Sequence, residues 1–318
     1  MGKVTDLTQS QQFEAGLFAG CIGVAIVVLI AVFQRRGMRL EIAGLATAGA
    51  ALAALQGWGP HKAALALDTS LLAAIVVLAV GGLAIQVIDR DAKWSPAIHA
   101  ILLVPGGAAM GWALRDAQPT WVPIAIAIAA PVFGATTIDL DRFHRRRAFG
   151  PAMLIVTICG VYVTVPDTEG SRALVGAVLP LIVLVLPRPL ATLGAMGSAA
   201  IVGVVLAVAV TEGAPRPGSI VGAFAGFGFL VIEPIARRVM PELKGRDGHD
   251  PGDHFRNTAV ALTLQGILVA WATRVAGLTQ EALPALLTSA VGVVAGFWTA
   301  ARLPRPPLPE KRRRRQQA

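Results

Sequence analysis

Two short acidic clusters contain the residues with the clearest chemical potential. Asp89 and Asp91 lie in the stretch DRDAK, and Asp139 and Asp141 open the stretch DLDRFHRRRAFG. Carboxylate oxygens suit Mg²⁺, and arginines beside them suit phosphate. The two pairs together could hold one magnesium ion and, through it, a lipid diphosphate. Since arginines alternate with the carboxylates, the pattern also fits a loop whose own charges pair at the level of the lipid headgroups, and this second interpretation is favoured.

A further polar stretch, VPDTEGSR, contains Asp167, Glu169 and Arg172 between two apolar runs. One interpretation is a small substrate-binding site that faces outward. Charged residues of neighbouring connections could add to such a site, namely Asp116, Glu212, Arg216 and Glu281. The other interpretation is structural, because Pro166 ends one helix and Asp167 or Thr168 suits the cap of the next.

The stretch LLVPGGAAMG places Pro105, Gly106 and Gly107 inside an apolar run. Proline removes a backbone donor and glycine weakens a helix, so a kink or a break is expected here, near the middle of the membrane. Broken helices often form the substrate site of transporters. The three residues are therefore candidates for substrate binding, although a kink that serves helix packing explains them as well.

Other residues of catalytic or metal-binding types form weaker patterns. His249, Asp250, Asp253 and His254 in GHDPGDH suit zinc, but glycine and proline dominate this loop and no HExxH helix is present. Neither a GxSxG serine motif nor a GxxxxGK[ST] phosphate loop occurs in the sequence. No catalytic residue is assigned, and whether the chain is an enzyme stays open.

The composition indicates a membrane protein. Of 318 residues, 55% are hydrophobic and 15% are charged, and the mean hydropathy is +0.65. A soluble domain has about 25% charged residues. The net charge of +9 could indicate a nucleic-acid partner. The basic residues lie at the ends of apolar runs rather than on one polar, aromatic-bearing surface, so no nucleic-acid partner is expected.

Apolar runs of about 20 residues are long enough to cross a bilayer as helices. They predict about eleven spans, at Phe13–Phe33, Leu40–Trp58, Asp68–Ile88, Pro96–Leu114, Pro119–Ile138, Pro151–Val165, Arg172–Leu186, Leu190–Val210, Gly218–Ala236, Phe255–Ala276 and Ala282–Ala301. If the N-terminus is outside, most of the 28 lysines and arginines lie inside, as the positive-inside rule requires. The predicted fold class is therefore an all-α, polytopic transmembrane helix bundle with a cytoplasmic C-terminus.

Glycine is spaced for close helix packing in two of these spans. Gly16 and Gly20 lie four residues apart in the first span, and Gly218, Gly222 and Gly226 repeat the spacing in the ninth. Such spacing lets two transmembrane helices approach closely. We therefore predict helix contacts on these faces.

The chain divides into one transmembrane helical domain, 1–303, and a basic, proline-rich cytoplasmic tail, 304–318, that is expected to be disordered. The tail contains Arg312, Arg313, Arg314 and Arg315, which are expected to bind anionic lipid headgroups at the cytoplasmic face. The predicted partners are the bilayer, these anionic lipids and another membrane protein. No cofactor is expected apart from Mg²⁺ under the metal interpretation.

One stretch carries a resemblance to known proteins. VYVTVPDTEGSRALVGAVLP, residues 161–180, resembles a segment of uncharacterised multi-pass membrane proteins of actinobacteria. The bias toward Ala, Val, Gly and Arg with little Lys is similar to that group as well. The group carries no established activity, so the resemblance implies only a location in the bacterial plasma membrane.

Three hypotheses of different classes fit these observations. The leading one is a protein that binds or translocates a small solute or an amphipathic envelope precursor, through an uncharged cavity between helices around Pro105. The second is a membrane enzyme that acts with Mg²⁺ on a lipid-linked phosphate at the cytoplasmic face. The third is a non-catalytic scaffold in an envelope-assembly complex, with the arginines of the tail binding lipid or a partner.

Overall fold

The computed structural model describes residues 9–33, 42–57, 67–89, 94–117, 119–143, 169–181 and 192–213, and single positions at 220, 221, 224, 227, 231, 283, 287, 290, 291 and 294. All regular secondary structure in these residues is helical, which confirms the all-α prediction for this part of the chain. The continuous helices are α1 (Gln9–Phe33), α2 (Ala43–Leu55), α3 (Thr69–Ile88), α4 (Pro96–Ala113), α5 (Trp121–Phe143), α6 (Glu169–Val178) and α7 (Ala195–Gly213). The predicted spans at 151–165 and 255–276 lie outside the described residues.

Five of the described helices are long and apolar enough to cross a membrane. Their apolar windows are Gln11–Ile30, Thr69–Ile88, Pro96–Ala113, Trp121–Asp139 and Ala195–Glu212. Helix α2 is apolar but shorter, with 13 residues. These helices are consistent with a membrane-embedded protein.

Helix α7 lies at the centre of the described bundle. All residues from Ala195 to Val210 except Met196 are buried. Helices α2, α3, α5 and α6 pack around it. The ring of Phe133, a residue of α5, stacks on the ring of Phe227 with 4.6 Å between the centroids. The core is therefore built around one almost fully buried helix.

The contacts at the ends of α7 give the relative directions of its neighbours. The start of α7 meets Gln86, near the end of α3, and Asp141, near the end of α5. Glu212, near the end of α7, meets the start of α6 at Gly170. We call these two ends of the bundle the Asp89 end, after the residue that follows α3, and the Glu212 end. From α2 to α5, successive helices alternate in direction, as consecutive membrane crossings must.

Glycine lets α1 and α6 pack main chain against main chain. A Cβ atom added at Gly16 would lie 2.8 Å from the carbonyl carbon of Ala173, and one at Gly20 would lie 2.9 Å from that of Ala177. The predicted close contact at this glycine pair is confirmed. Both pairs advance by four residues, so α1 and α6 run in the same direction.

Helix α4 runs through Pro105 without interruption, and the proline side chain is exposed. The sequence predicted a kink or a break at this proline. The continuous helix shows that the break is wrong. The physical reason is tight packing on two sides. A Cβ atom at Gly106 would lie 2.6 Å from Leu78 Cα in α3, and one at Gly107 would lie 2.5 Å from Pro131 Cδ in α5. Neighbours this close leave no room for α4 to separate into two segments.

Helix α3 begins with a side-chain cap. The carboxylate of Asp68 accepts a hydrogen bond of 2.7 Å from the backbone N–H of Thr69 and one of 2.6 Å from the hydroxyl of Ser70. These hydrogen bonds stabilise the charged form, and they hold the pKa of the Asp68 carboxyl below its ordinary value of 3.8. The predicted span began at this residue, so the helix start agrees with the sequence.

Adding one methyl group at Gly106 is expected to destabilise the bundle. The Gly106→Ala variant forces a shift of the Leu78 backbone, and overpacking of this kind costs about 1–3 kcal/mol. Gly49→Ala is the matched control, because a Cβ atom there meets no atom within 4 Å and alanine favours a helix. Thermal unfolding in detergent should give a lower Tm for Gly106→Ala and an unchanged or higher Tm for Gly49→Ala. Equal Tm values would contradict the close contact of α3 and α4.

Acid is expected to remove the contribution of the Asp68 cap. Because the pKa is lower in the folded protein than in the unfolded chain, the carboxylate stabilises the fold above pH 3.8. That contribution is lost as the pH falls through the lowered pKa. The Tm of the wild type should exceed that of Asp68→Asn at neutral pH, and the two should converge in acid. A difference that does not change with pH would count against the cap.

Candidate polar site at the Asp89 end

A buried histidine–carboxylate pair joins α3 to α4. Nε2 of His99 lies 2.9 Å from Oδ2 of Asp89, and both side chains are almost fully buried. The same carboxylate accepts hydrogen bonds of 3.3 Å from the backbone N–H of Trp94. Among the described residues, Nδ1 of His99 has no hydrogen-bond partner. This nitrogen is therefore a candidate contact for a polar group.

His99 is not among the candidate residues predicted from the sequence. It lies within the predicted span Pro96–Leu114, whose apolar character alone was used. The available signal was a histidine one turn inside an apolar run and ten residues after Asp89. An ionisable residue in such a segment is by default a functional candidate with a partner nearby.

Asp141 serves as an acceptor for the start of α7. Its carboxylate accepts hydrogen bonds of 3.2 Å from the backbone N–H of Leu193 and 2.9 Å from that of Gly194. Gln86 Oε1 lies 3.4 Å from the backbone N of Met196. Gly194 has a φ of 72°, a left-handed conformation that favours glycine, and this turn presents the amides to the carboxylate. The predicted loop residue Asp141 thus belongs to α5, which continues to Phe143.

The segment before α7 also holds the start of α2. The carbonyl oxygens of Thr192 and Leu193 each accept a 3.2 Å hydrogen bond, from the backbone N–H groups of Ala43 and Gly44 respectively. Each helix begins with amides that have no partner within the helix. At the Asp89 end these amides are bonded by neighbouring parts of the chain rather than by water.

The four predicted magnesium ligands have different positions. Asp89 and Asp141 are buried and bonded to protein donors, as described above. Asp139 is half-buried on α5. Residues two apart on a helix point about 200° apart, so Asp139 and Asp141 face different sides of α5. Asp91 lies outside the described residues, and within those residues no three His, Cys, Asp or Glu side chains form a group that could hold a metal.

At the Glu212 end, a carboxylate caps α6 from a distance in sequence. Glu212 accepts hydrogen bonds of 2.5 Å from the backbone N–H of Gly170, and of 3.1 Å and 2.7 Å from the N–H and hydroxyl of Ser171. From the sequence, Glu212 was expected to add to a site at the stretch VPDTEGSR. In the structure its carboxylate contacts Gly170 and Ser171 of that stretch, the two residues before Arg172. The capping role expected of Asp167 or Thr168 lies outside the described residues.

The other predicted substrate-binding residues are spread over two places. Arg172 is buried in α6, and Glu169 is its first residue. Gly106 and Gly107 lie at the helix contacts of α4 given above, far along the chain from Arg172. Asp167 and the predicted lipid-binding residues Arg312 to Arg315 lie outside the described residues.

Most threonine hydroxyls in the described helices do not line a polar path. Thr47, Thr137 and Thr211 each donate to the carbonyl oxygen four residues earlier in their own helix, at 2.7–2.8 Å. Such bonds satisfy a hydroxyl locally within an apolar helix. The buried polar groups of the described bundle therefore concentrate at its two ends.

Comparisons with known proteins add no family. A scan against protein-family models and a search of the curated proteins found no match to this chain. The candidate site at the Asp89 end therefore rests on its own geometry.

Removing the Asp141 carboxylate is expected to destabilise the bundle. In Asp141→Ala, two amides at the start of α7 lose their acceptor, and a buried donor left unsatisfied costs about 1–3 kcal/mol. Asp141→Asn keeps one acceptor oxygen and should lie between the alanine variant and the wild type. Asp116→Ala is the control, because that side chain is 90% exposed. A Tm of Asp141→Ala equal to that of Asp116→Ala would show that Asp141 does not cap α7.

Proposed function

We propose that this chain is a multi-pass membrane protein that binds a small solute and moves it across the bilayer, with the Asp89–His99 pair as the recognition point. The observation that carries the proposal is this buried ionisable pair, which joins α3 to α4. Burying two ionisable side chains costs more than burying an apolar pair of similar volume, so packing alone does not require them. In membrane helices such groups mark substrate, ion or proton pathways.

The buried face of α4 supports a path that leads away from His99. His99, Leu103, Gly106 and Met110 follow one another at spacings of three and four residues, and all are buried. They therefore lie on one face of the helix. A solute that engages Nδ1 of His99 reaches the predicted binding residue Gly106 about two turns further along this face. Passage requires α4 to move away from α3, since no gap separates them at Gly106.

The sidedness and location belong to the same proposal. The connections that follow α1, α3 and α5 contain arginines, including Arg35, Arg90 and Arg145. By the positive-inside rule, the Asp89 end then faces the cytoplasm. The resemblance of residues 161–180 to actinobacterial membrane proteins supports a bacterial plasma membrane.

A second candidate is the Mg²⁺-dependent enzyme acting on a lipid-linked phosphate. The observation in its favour is that Asp89, Asp139 and Asp141 all belong to the Asp89 end. Against it, the Asp89 carboxylate binds His99 and the Asp141 carboxylate binds the start of α7. A metal would have to displace these protein donors.

Ligand-induced stabilisation tests the leading proposal. The purified protein is screened by thermal unfolding against small organic cations, organic anions, sugars, amino acids and prenyl phosphates, and each stabilising compound is followed into liposomes. We expect a compound that raises the Tm of the wild type and enters liposomes that contain it. His99→Gln and Asp89→Asn should lose both responses while they stay folded, because each keeps a hydrogen-bonding group in place.

Asp68→Asn is the matched control, since it removes the exposed carboxylate at the other end of α3. It should keep the wild-type responses. Uptake that persists in His99→Gln would contradict the role of the pair. Mg²⁺-dependent release of phosphate from a prenyl diphosphate, lost in Asp139→Asn, would instead support the enzyme.

A further inference from the structure

The hydrogen bond between His99 and Asp89 determines which nitrogen of the imidazole ring carries the proton. An ionised carboxylate accepts hydrogen bonds and donates none, and both oxygens of Asp89 accept from the backbone N–H of Trp94. Nε2 of His99, which lies 2.9 Å from Oδ2 of Asp89, therefore acts as the donor of this pair. In a neutral imidazole the other nitrogen is then an acceptor with a lone pair. The ring thus offers a hydrogen-bond acceptor at Nδ1.

This acceptor is buried and unused by the fold. In the part of the chain that the structure describes, Nδ1 meets no hydrogen-bond donor, and the whole side chain of His99 is enclosed. A buried polar atom without a partner is unfavourable. A molecule that donates a hydrogen bond to Nδ1 therefore gains free energy that the folded chain alone does not.

The helix faces that lead away from His99 are otherwise apolar. Helices α3 and α4 are described throughout, and their buried residues other than His99 have no nitrogen or oxygen atom in the side chain. Leu103 and Met110 of α4 belong to this set and lie on the same face as His99. A solute held between these two helices therefore meets one unused polar atom, Nδ1, beside apolar side chains.

We infer that the recognised solute is an apolar molecule with a hydrogen-bond donor, such as a hydroxyl, an amide or a protonated amine, and that this group donates to Nδ1 of His99. The inference rests on the proposed function and names its substrate class. A carboxylate offers oxygen lone pairs, which the lone pair of Nδ1 repels. Such an anion binds a ring that carries a proton on both nitrogens, so the two classes of solute require different states of His99.

The state of the ring is measured by nitrogen NMR of protein with isotope-labelled histidine. The chain has five histidines, and the signal that is absent from His99→Gln identifies His99. Protonated and unprotonated ring nitrogens have well-separated chemical shifts. At neutral pH we expect a proton on Nε2 and none on Nδ1. A proton on Nδ1, in the neutral or in the doubly protonated ring, would overturn the inference.

Matched probes test the class of solute. Butanol and butylammonium carry a donor, whereas methyl propyl ether and butanoate have a similar size and carry none. The affinity of each probe is taken from the concentration that gives half of the maximal rise in Tm. We expect the donor probes to bind the wild type about twofold to tenfold more tightly than the probes without a donor, the factor that one hydrogen bond supplies.

Two substitutions of His99 separate its two nitrogens. The amide of asparagine lies as many bonds from the backbone as Nδ1 does, and the amide of glutamine as many as Nε2. His99→Asn should therefore keep part of the preference for donors, and His99→Gln should lose it. Asp68→Asn is the control and should keep the wild-type preference, because the Asp68 carboxylate lies at the other end of α3.

The outcomes distinguish this inference from the proposed function. Tighter binding of butanoate than of butylammonium, lost in His99→Gln, would overturn the inference and leave the proposed function in place. Binding of no probe of either kind, with the ring in the expected state, would contradict the proposed function and remove the inference with it.

Discussion

A buried helix start must bond its free amides within the protein, and this requirement organises the Asp89 end of the bundle. Helix α7 begins in the interior, where water is excluded. Asp141 of α5 accepts from the amides of Leu193 and Gly194, just before the helix, and Gln86 of α3 accepts from that of Met196 in its first turn. The carbonyl groups at Thr192 and Leu193 supply the acceptors for α2. This one cluster of hydrogen bonds thus fixes the positions of α2, α3, α5 and α7 along the bundle axis relative to each other. The apolar side chains of these helices pack in the register that it sets.

The carboxylates in this fold have two kinds of role. The carboxylates of Asp141 and Glu212 both lie at helix starts, where an anion also interacts favourably with the helix dipole, so their positions are explained by these helix starts. Asp89 is different, because it follows the end of α3 and its partner is the ring of His99. A carboxylate at a helix C-terminus opposes the dipole. The same carboxylate also accepts from the backbone N–H of Trp94, so the pair closes the turn between α3 and α4 instead of capping a helix.

Composition and local signals predicted the start of a helix correctly where residues next to that start determine it. The starts of α3 and α4 agree with the predicted spans, since Asp68 is a local cap and Pro96 suits the first helical position. The break at Pro105 was wrong because contacts with α3 and α5, which are distant in sequence, hold α4 together. Asp141 was placed in a loop because its partners lie more than fifty residues away. The periodicity of a sequence indicates which residues are apolar. It does not indicate which distant helix end a carboxylate contacts in the folded chain.

Side-chain hydrogen bonds hold α7 and α4 in different ways. Side-chain hydrogen bonds hold α7 at both ends, through Asp141 and Glu212, and tie it to α5 and α6. Helix α4 has a side-chain hydrogen bond near its start, between His99 and Asp89. Beyond that point the described residues hold α4 by close packing, against α3 at Gly106 and against α5 at Gly107. The pair therefore ties α4 to α3 at the Asp89 end, while the frame around α7 is held independently of it.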